Sequence, residues 1–318
     1  MIKKNFGDSI KDQLKAAAKD RLYRFLLDNG MVKGAVIYGL RMINEMRANF
    51  DLGVPETLLL GHAYLGAGLM SSTLKGHDAV ALKIECSGPA KGLSVEANAL
   101  GEVRGFLKQN PIPMREPFDA VSLSSLFGAG FLSVIKTLED AKHPFTGKIF
   151  LEYGSVAQDL ANYYLTSEQI PTAISLSIHF DKKGAVAGAG GLFLQAMPGA
   201  DQNRIASIEQ AVAKVASIGK EFSLGETPEG LIQTIFDGFS PVVLDSQRVE
   251  FFCRCSEKRM LDYIGMLPLK DLEEILENGP FPVETRCHHC NTRYHFSKQD
   301  IEERFCLMKR LRANGPTD

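Results

Sequence analysis

The sequence predicts an α+β protein: a β-rich N-terminal domain with packed helices, a helical linker, and a small C-terminal domain. Three observations predict it. Between residues 80 and 97, apolar side chains alternate along two short runs joined by a turn. Between residues 201 and 240 they recur at helical spacing. Near the C-terminus, four of the six cysteines stand in two tight pairs, Cys253-Arg-Cys255 and, after 31 intervening residues, Cys287-His-His-Cys290. These changes of pattern place the expected boundaries at 1–199, 200–249 and 250–318.

Composition narrows the function classes. A chain of 318 residues with 45% hydrophobic and 23% charged residues is an ordinary globular protein long enough for two domains. Its formal net charge of −2 offers no electrostatic case for nucleic acid or an anionic membrane. The stretch Met1 to Asp20 is polar and charged and does not read as a secretory signal. The longest apolar run, Thr57 to Met70, is broken by His62 and by Gly61, Gly66 and Gly68, so it reads as a buried helix and not a membrane span. Paired thiols without an export signal point to a reducing cytoplasm.

Taken in order, residues 8–29 predict a helix with Leu14, Leu22, Phe25 and Leu26 as its stripe and Asn29-Gly30 as its stop. Val32 to Tyr38 predicts a strand and Leu40 to Asn49 a helix. Pro55 opens a second helix, whose three glycines predict close packing against a neighbour. His62, inside that apolar helix, reads as a core histidine. Strands follow at Val80–Cys86, Leu93–Ala97, Gly101–Leu107, Phe131–Thr137 and Gly147–Glu152, and their short connections favour antiparallel pairing.

Gly128-Ala-Gly130 and Gly188-Ala-Gly190-Gly191 lack the context of a phosphate loop and read as turns or bulges. Ser155-Val-Ala-Gln158 has the capping-box pattern ahead of a helix, and Ile174 to Phe180 alternates as a strand. Glu168, in the turn between them, has no catalytic companion and reads as structural. After Gly199, Ile205, Ile208, Val212, Val215 and Ile218 mark an amphipathic helix, and Thr227-Pro228 starts another; such stripes must dock on something. In the tail, Ser256 caps a helix, Leu269 to Glu277 forms the next, a hairpin flanks the second cysteine pair, and Ser297 starts the last helix.

The cysteine spacing carries the chemistry. In an extended CxC segment the two side chains point the same way, so Cys253 and Cys255 can share a metal, and Cys287 and Cys290 can join them from a tight turn. Four sulfurs complete a tetrahedral zinc site, which leaves His288 and His289 outside the ligand set. A tail of about 65 residues with few large apolar side chains has a marginal core. Structural zinc contributes roughly 10–16 kcal/mol, against about 5–15 kcal/mol for the stability of a whole domain. Losing the metal should therefore unfold the tail. Because metal-bound thiolates can still be oxidised, the site admits a switch in which oxidation expels zinc. The local residues by themselves favour a static zinc over that switch.

The chain resembles the redox-regulated heat-shock chaperone family, the 33 kDa chaperonin, over nearly its whole length. The resemblance is carried by Gly101-Glu-Val-Arg-Gly105, Thr146-Gly-Lys148, Ser167-Glu-Gln-Ile-Pro-Thr172, Gly190-Gly-Leu-Phe-Leu-Gln195, Met197-Pro-Gly199 and the cysteine module with Ser256 and Arg259. It implies a non-enzymatic, ATP-independent holdase, resting with one zinc ion on Cys253, Cys255, Cys287 and Cys290. Oxidation would form the disulfides Cys253–Cys255 and Cys287–Cys290, release zinc, unfold the C-terminal region and loosen the linker. Homodimers would then hold unfolding client proteins and pass them to ATP-dependent foldases. Cys86 and Cys306 lie outside this module, and either could form off-pathway disulfides.

Two other classes compete. A zinc-ribbon nucleic-acid binder needs a basic stripe, yet from Cys253 onward 11 basic residues balance 11 acidic ones. A thiol-disulfide oxidoreductase would place Cys287 and Cys290 at a helix start, where a hairpin knuckle is expected instead.

Overall fold

The computed structural model describes residues 1–2, 20–114, 123–215 and 217–313. By its contacts the chain separates into two compact units, one of Lys4–Phe252 and one of Met1–Lys3 with Cys253–Asp318.

The larger unit runs β1 (Arg21–Leu27), β2 (Val32–Tyr38), α1 (Leu40–Phe50), α2 (Val54–Met70), β3 (Ala79–Cys86), β4 (Gly92–Asn98), β5 (Glu102–Leu107), α3 (Leu123–Phe127), β6 (Gly130–Thr137), β7 (Phe145–Phe150) and α4 (Val156–Thr166). It continues with β8 (Thr172–Phe180), β9 (Val186–Ala196), α5 (Gln202–Ala213), α6 (Ile218–Ser223), α7 (Pro228–Phe236), β10 (Val242–Arg248) and β11 (Glu250–Phe251). One sheet has the order β10-β1-β2-β9-β8, and the other the order β11-β5-β4-β3-β6-β7. Every pairing is antiparallel except β11 with β5.

The α+β class is as expected, but the first predicted helix is reassigned. Residues 21–27 form a strand where a helix was predicted, and the 8–19 part of that predicted helix lies outside the described residues. The cause is two-sided burial. Leu22 points to one face of the sheet and Phe25 and Leu27 to the other, and all three are buried, so the period-two signature is lost and the spacing imitates a helical stripe.

Helix α2 is apolar all round and almost wholly buried. Its glycines admit neighbours as predicted. A Cβ on Gly61 would stand 2.4 Å from Ile178, one on Gly66 2.9 Å from Leu160, and one on Gly68 2.6 Å from Ile37. Ser155 makes no side-chain cap on α4. The buried Asp159 carboxylate instead accepts from the backbone N–H groups of Glu152, Tyr153 and Ser155 at 2.9, 3.1 and 3.0 Å. Glu168 is tied to Lys136 at 2.6 Å and accepts from the Tyr163 hydroxyl, a structural role.

The stretch expected as a helical linker is helical only in part. Ile218 begins a new helix after a break, and residues 242–248 form β10 on the edge beside β1. Its stripes are docked. Ile208, Ile218, Phe222, Leu231, Ile232, Ile235 and Phe236 cover a sheet face made by Phe25, Leu27, Val32, Val36, Leu192 and Leu194. Each such side chain contributes about 1.5–3 kcal/mol when fully buried. Gly188 and Gly190 make room on β9, where added Cβ atoms would meet the Gly219 carbonyl oxygen at 1.9 Å and the Phe222 ring at 2.3 Å.

The smaller unit contains α8 (Glu257–Gly265), α9 (Leu269–Asn278), β12 (Val283–Arg286), β13 (Arg293–Phe296) and α10 (Lys298–Ala313). Strands β12 and β13 form an antiparallel hairpin, from Val283 opposite Phe296 to Arg286 opposite Arg293.

Candidate metal centre

The CxC lies in the irregular segment between β11 and α8 and ends at Ser256, whose hydroxyl accepts from Arg259 N at 3.3 Å and caps α8. The CxxC occupies the turn between β12 and β13. Cys287 N donates to Thr292 O at 2.9 Å, and Asn291 N donates to Cys287 O at 2.8 Å. Asn291 takes a left-handed φ of 59°, a region asparagine tolerates, and its side-chain oxygen accepts from Arg286.

These two segments bring all four predicted sulfurs together. Cys253, Cys255, Cys287 and Cys290 are buried, and their Sγ atoms lie within 4.8 Å of one another. Cys253 Sγ stands 3.8 Å from Cys287 Sγ, and Cys255 Sγ 3.3 Å from Cys290 Sγ. Four sulfurs about 2.3 Å from a tetrahedral zinc would be separated by about 3.8 Å. The donor set therefore fits zinc in number, chemistry and spacing.

Crowding sets the electrostatics. Hydrogen bonds from Cys287 and Cys290 hold the Cys253 thiol far below its usual range. The hydrogen bond to Cys253 in turn pushes Cys287 up to about 11, and hydrogen bonds with Cys253 and Cys287 push Cys290 up as well. One negative charge thus forms readily and the next are opposed. A divalent cation removes that opposition and favours thiolates.

Among the described residues the cluster is made of cysteines alone. His288 is exposed and His289 half-buried in the turn. Cys86 ends β3 in the larger unit, and Cys306 is exposed on α10. His62 stays on α2, its imidazole pushed down to about 4 by burial.

Two hydroxyl contacts were not foreseen. Tyr294 donates to Cys255 Sγ at 3.1 Å, and Cys290 Sγ donates to Thr292 Oγ1 at 3.2 Å. Thr292 Oγ1 also accepts from Ile2 N at 3.1 Å and donates to Ile2 O at 3.2 Å, while the Met1 amino group donates to Cys255 O at 2.8 Å. The alternation of β13 carried a signal for Tyr294, since it shares the buried face with Phe296 while Arg293 and His295 point outward. Nothing in the sequence pointed to residues 1 and 2.

Comparison with known proteins gives a consistent answer. Residues 20–297 match the family model described as Hsp33 protein. A 33 kDa chaperonin of Ruminiclostridium cellulolyticum is 33% identical over 287 residues, covering 89% of this chain and 97% of that protein. Its counterpart in Lachnoclostridium phytofermentans is 31% identical over 286 residues, with 89% and 97% covered. The crystal structure of the 33 kDa chaperonin (heat shock protein 33 homolog) of Thermotoga maritima superposes with a TM-score of 0.83 at 27% identity, covering 92% of this chain and 99% of that one.

Proposed function

The chain belongs to the Hsp33 family of chaperones, and from that premise we propose that it is an oxidation-activated, ATP-independent holdase without catalytic activity. The observation that carries this reading is the nest of four buried sulfurs within 4.8 Å. When bound, zinc holds the sulfurs as thiolates and ties the CxC to the CxxC. Cys253, Cys255, Cys287 and Cys290 supply all four ligands.

Oxidation of Cys253 with Cys255, and of Cys287 with Cys290, withdraws four electrons, two for each S–S bond formed. Two equivalents of hydrogen peroxide accept them, each taking up two protons and leaving as two waters. No thiolate then remains to hold a cation. The interior of the smaller unit supports the melting step. Besides the cysteines, its buried apolar side chains among the described residues are Ile264, Leu272, Tyr294, Phe296 and Ile301. That is a small core against the roughly 10–16 kcal/mol a structural zinc supplies.

The preceding segment, residues 200–249, is the proposed responder. Undocking would uncover the apolar face described above, a surface suited to unfolding client proteins and to a homodimer of the oxidised chain. Reduction would return the clients to ATP-dependent foldases. The proposed compartment is the cytoplasm, where thiols rest reduced; no helix among the described residues is long and apolar enough to cross a membrane. The buried position of Cys287 and Cys290 in a turn, away from any helix start, speaks against a thiol-disulfide oxidoreductase.

A peroxide titration tests the proposal by following zinc release, thiol count and aggregation of a heat-unfolded client together. The reduced zinc-loaded protein should leave the client to aggregate, and the oxidised protein should protect it. Full protection in the reduced state, or none after verified zinc loss, would overturn the reading.

A further inference from the structure

Tyr294 has no part in the scheme above. It lies on β13 opposite Thr285 of β12, is only 8% exposed, and donates its hydroxyl to Cys255 Sγ at 3.1 Å. The contact crosses between segments, because Tyr294 follows the CxxC turn whereas Cys255 belongs to the CxC. A buried phenol hydroxyl needs an acceptor, and a thiolate is a strong one.

We infer that Tyr294 is a positioning residue that orients Cys255 toward the metal and couples the redox state of the CxC pair to the hairpin carrying the CxxC pair. The inference rests on the zinc-and-oxidation reading proposed above. While Cys255 is a thiolate, the hydroxyl fixes its direction and draws charge from the sulfur, which lowers its nucleophilicity toward peroxide. Once Cys255 Sγ is half of a disulfide, that charge is gone and the same buried hydroxyl faces a poor acceptor. The loss falls on β13 and its partner β12, the strands that flank Cys287 and Cys290.

The test uses the full reduced, zinc-loaded chain. Tyr294→Phe keeps the ring and removes the hydroxyl; Tyr263→Phe, on α8 and 55% exposed, is the control. Removing a hydrogen-bond partner of a metal ligand typically weakens the site by roughly 10–100-fold. Tyr294→Phe should therefore cede zinc to a chelator about tenfold faster than wild type, and its thiols should react faster with peroxide, with Tyr263→Phe unchanged. Equal chelator rates for Tyr294→Phe and wild type would overturn the inference, since ring packing is conserved. This arm uses no oxidant, so it is separate from the chaperone reading, which would fail if peroxide did not activate wild type. Should Tyr294→Phe not fold, wild type loaded with an NMR-active cadmium isotope decides. Scalar coupling between the Tyr294 hydroxyl proton and the metal through Cys255 Sγ supports the inference, and its absence overturns it.

Discussion

Arg204 on α5 grips Asp28 at two points, Nε to Oδ2 at 2.8 Å and Nη2 to Oδ1 at 2.6 Å. The same guanidinium donates to Gly238 O at 3.1 Å and lies 4.7 Å from the centre of the Phe239 ring. One side chain thus joins the turn after β1 to the start and the end of the α5–α7 stretch. Its planar fork suits this use, and lysine cannot reproduce it.

Replacing Arg204 by Ala or Lys should loosen residues 202–239. The pair is partly exposed, so the effect is expected to be modest, a few-fold faster amide hydrogen exchange in α5 that wild type would approach at high salt. Unchanged exchange in both variants would show that the clasp contributes nothing.

Gly188→Ala tests the docking of α6 itself. The new methyl would be placed 1.9 Å from the Gly219 carbonyl oxygen, a backbone atom, so the helix has to move. A destabilisation of about 1–3 kcal/mol is expected in thermal melts of the reduced protein. If the uncovered face is the client surface, the reduced zinc-loaded variant should also suppress aggregation without oxidant. Retained zinc together with lost docking and no suppression would separate that face from client binding.

Metal removal should act on one unit. Chelation under reducing conditions, or Cys290→Ser, should raise hydrogen exchange across residues 253–313 and leave β1 to β9 protected. The expected loss is of the order of the roughly 10–16 kcal/mol that structural zinc provides. A protected β12–β13 hairpin in the metal-free protein would contradict it.

His62 should imprint a pH dependence on stability. Burial holds its imidazole at about 4, below the ordinary 6.5, so the folded chain keeps it neutral while the unfolded chain takes a proton below 6.5. Between these values the unfolded state binds more protons, and acid costs the fold up to about 3 kcal/mol. Asp20 acts in the opposite sense: burial raises it from 3.8 to about 7, so its contribution is lost as pH rises through that window. Denaturant melts of His62→Gln and wild type from pH 7 to pH 4 isolate the histidine, with wild type expected to lose ground steadily. Parallel curves would rule the effect out.

Much of this protein was legible from residues near one another in sequence. Strands β2 to β8 announced themselves because most of them alternate or are bounded by turn residues, and α2 because its glycines have only close packing to serve; β9 did not, since Gly188 to Gly191, which read as a turn or bulge, lie inside the strand. The four-sulfur cluster was legible because a CxC and a CxxC each place two sulfurs together by local geometry. Strand β1 was not, because burial on both faces erased its period. Nor was the start of α4, where Asp159 takes the Ser155 N–H that the pattern assigned to Gln158.

The sequence by itself determined the α+β class, the four cysteines and, through resemblance, the family. Local backbone geometry is enough to present each sulfur pair. Only the tertiary structure decided what lies beside those sulfurs and what covers the sheet. Tyr294 meets Cys255, 39 positions away along the chain, and β10 returns to pair with β1 from the far end of the larger unit. Such contacts depend on how whole elements pack, and no short-range pattern records them.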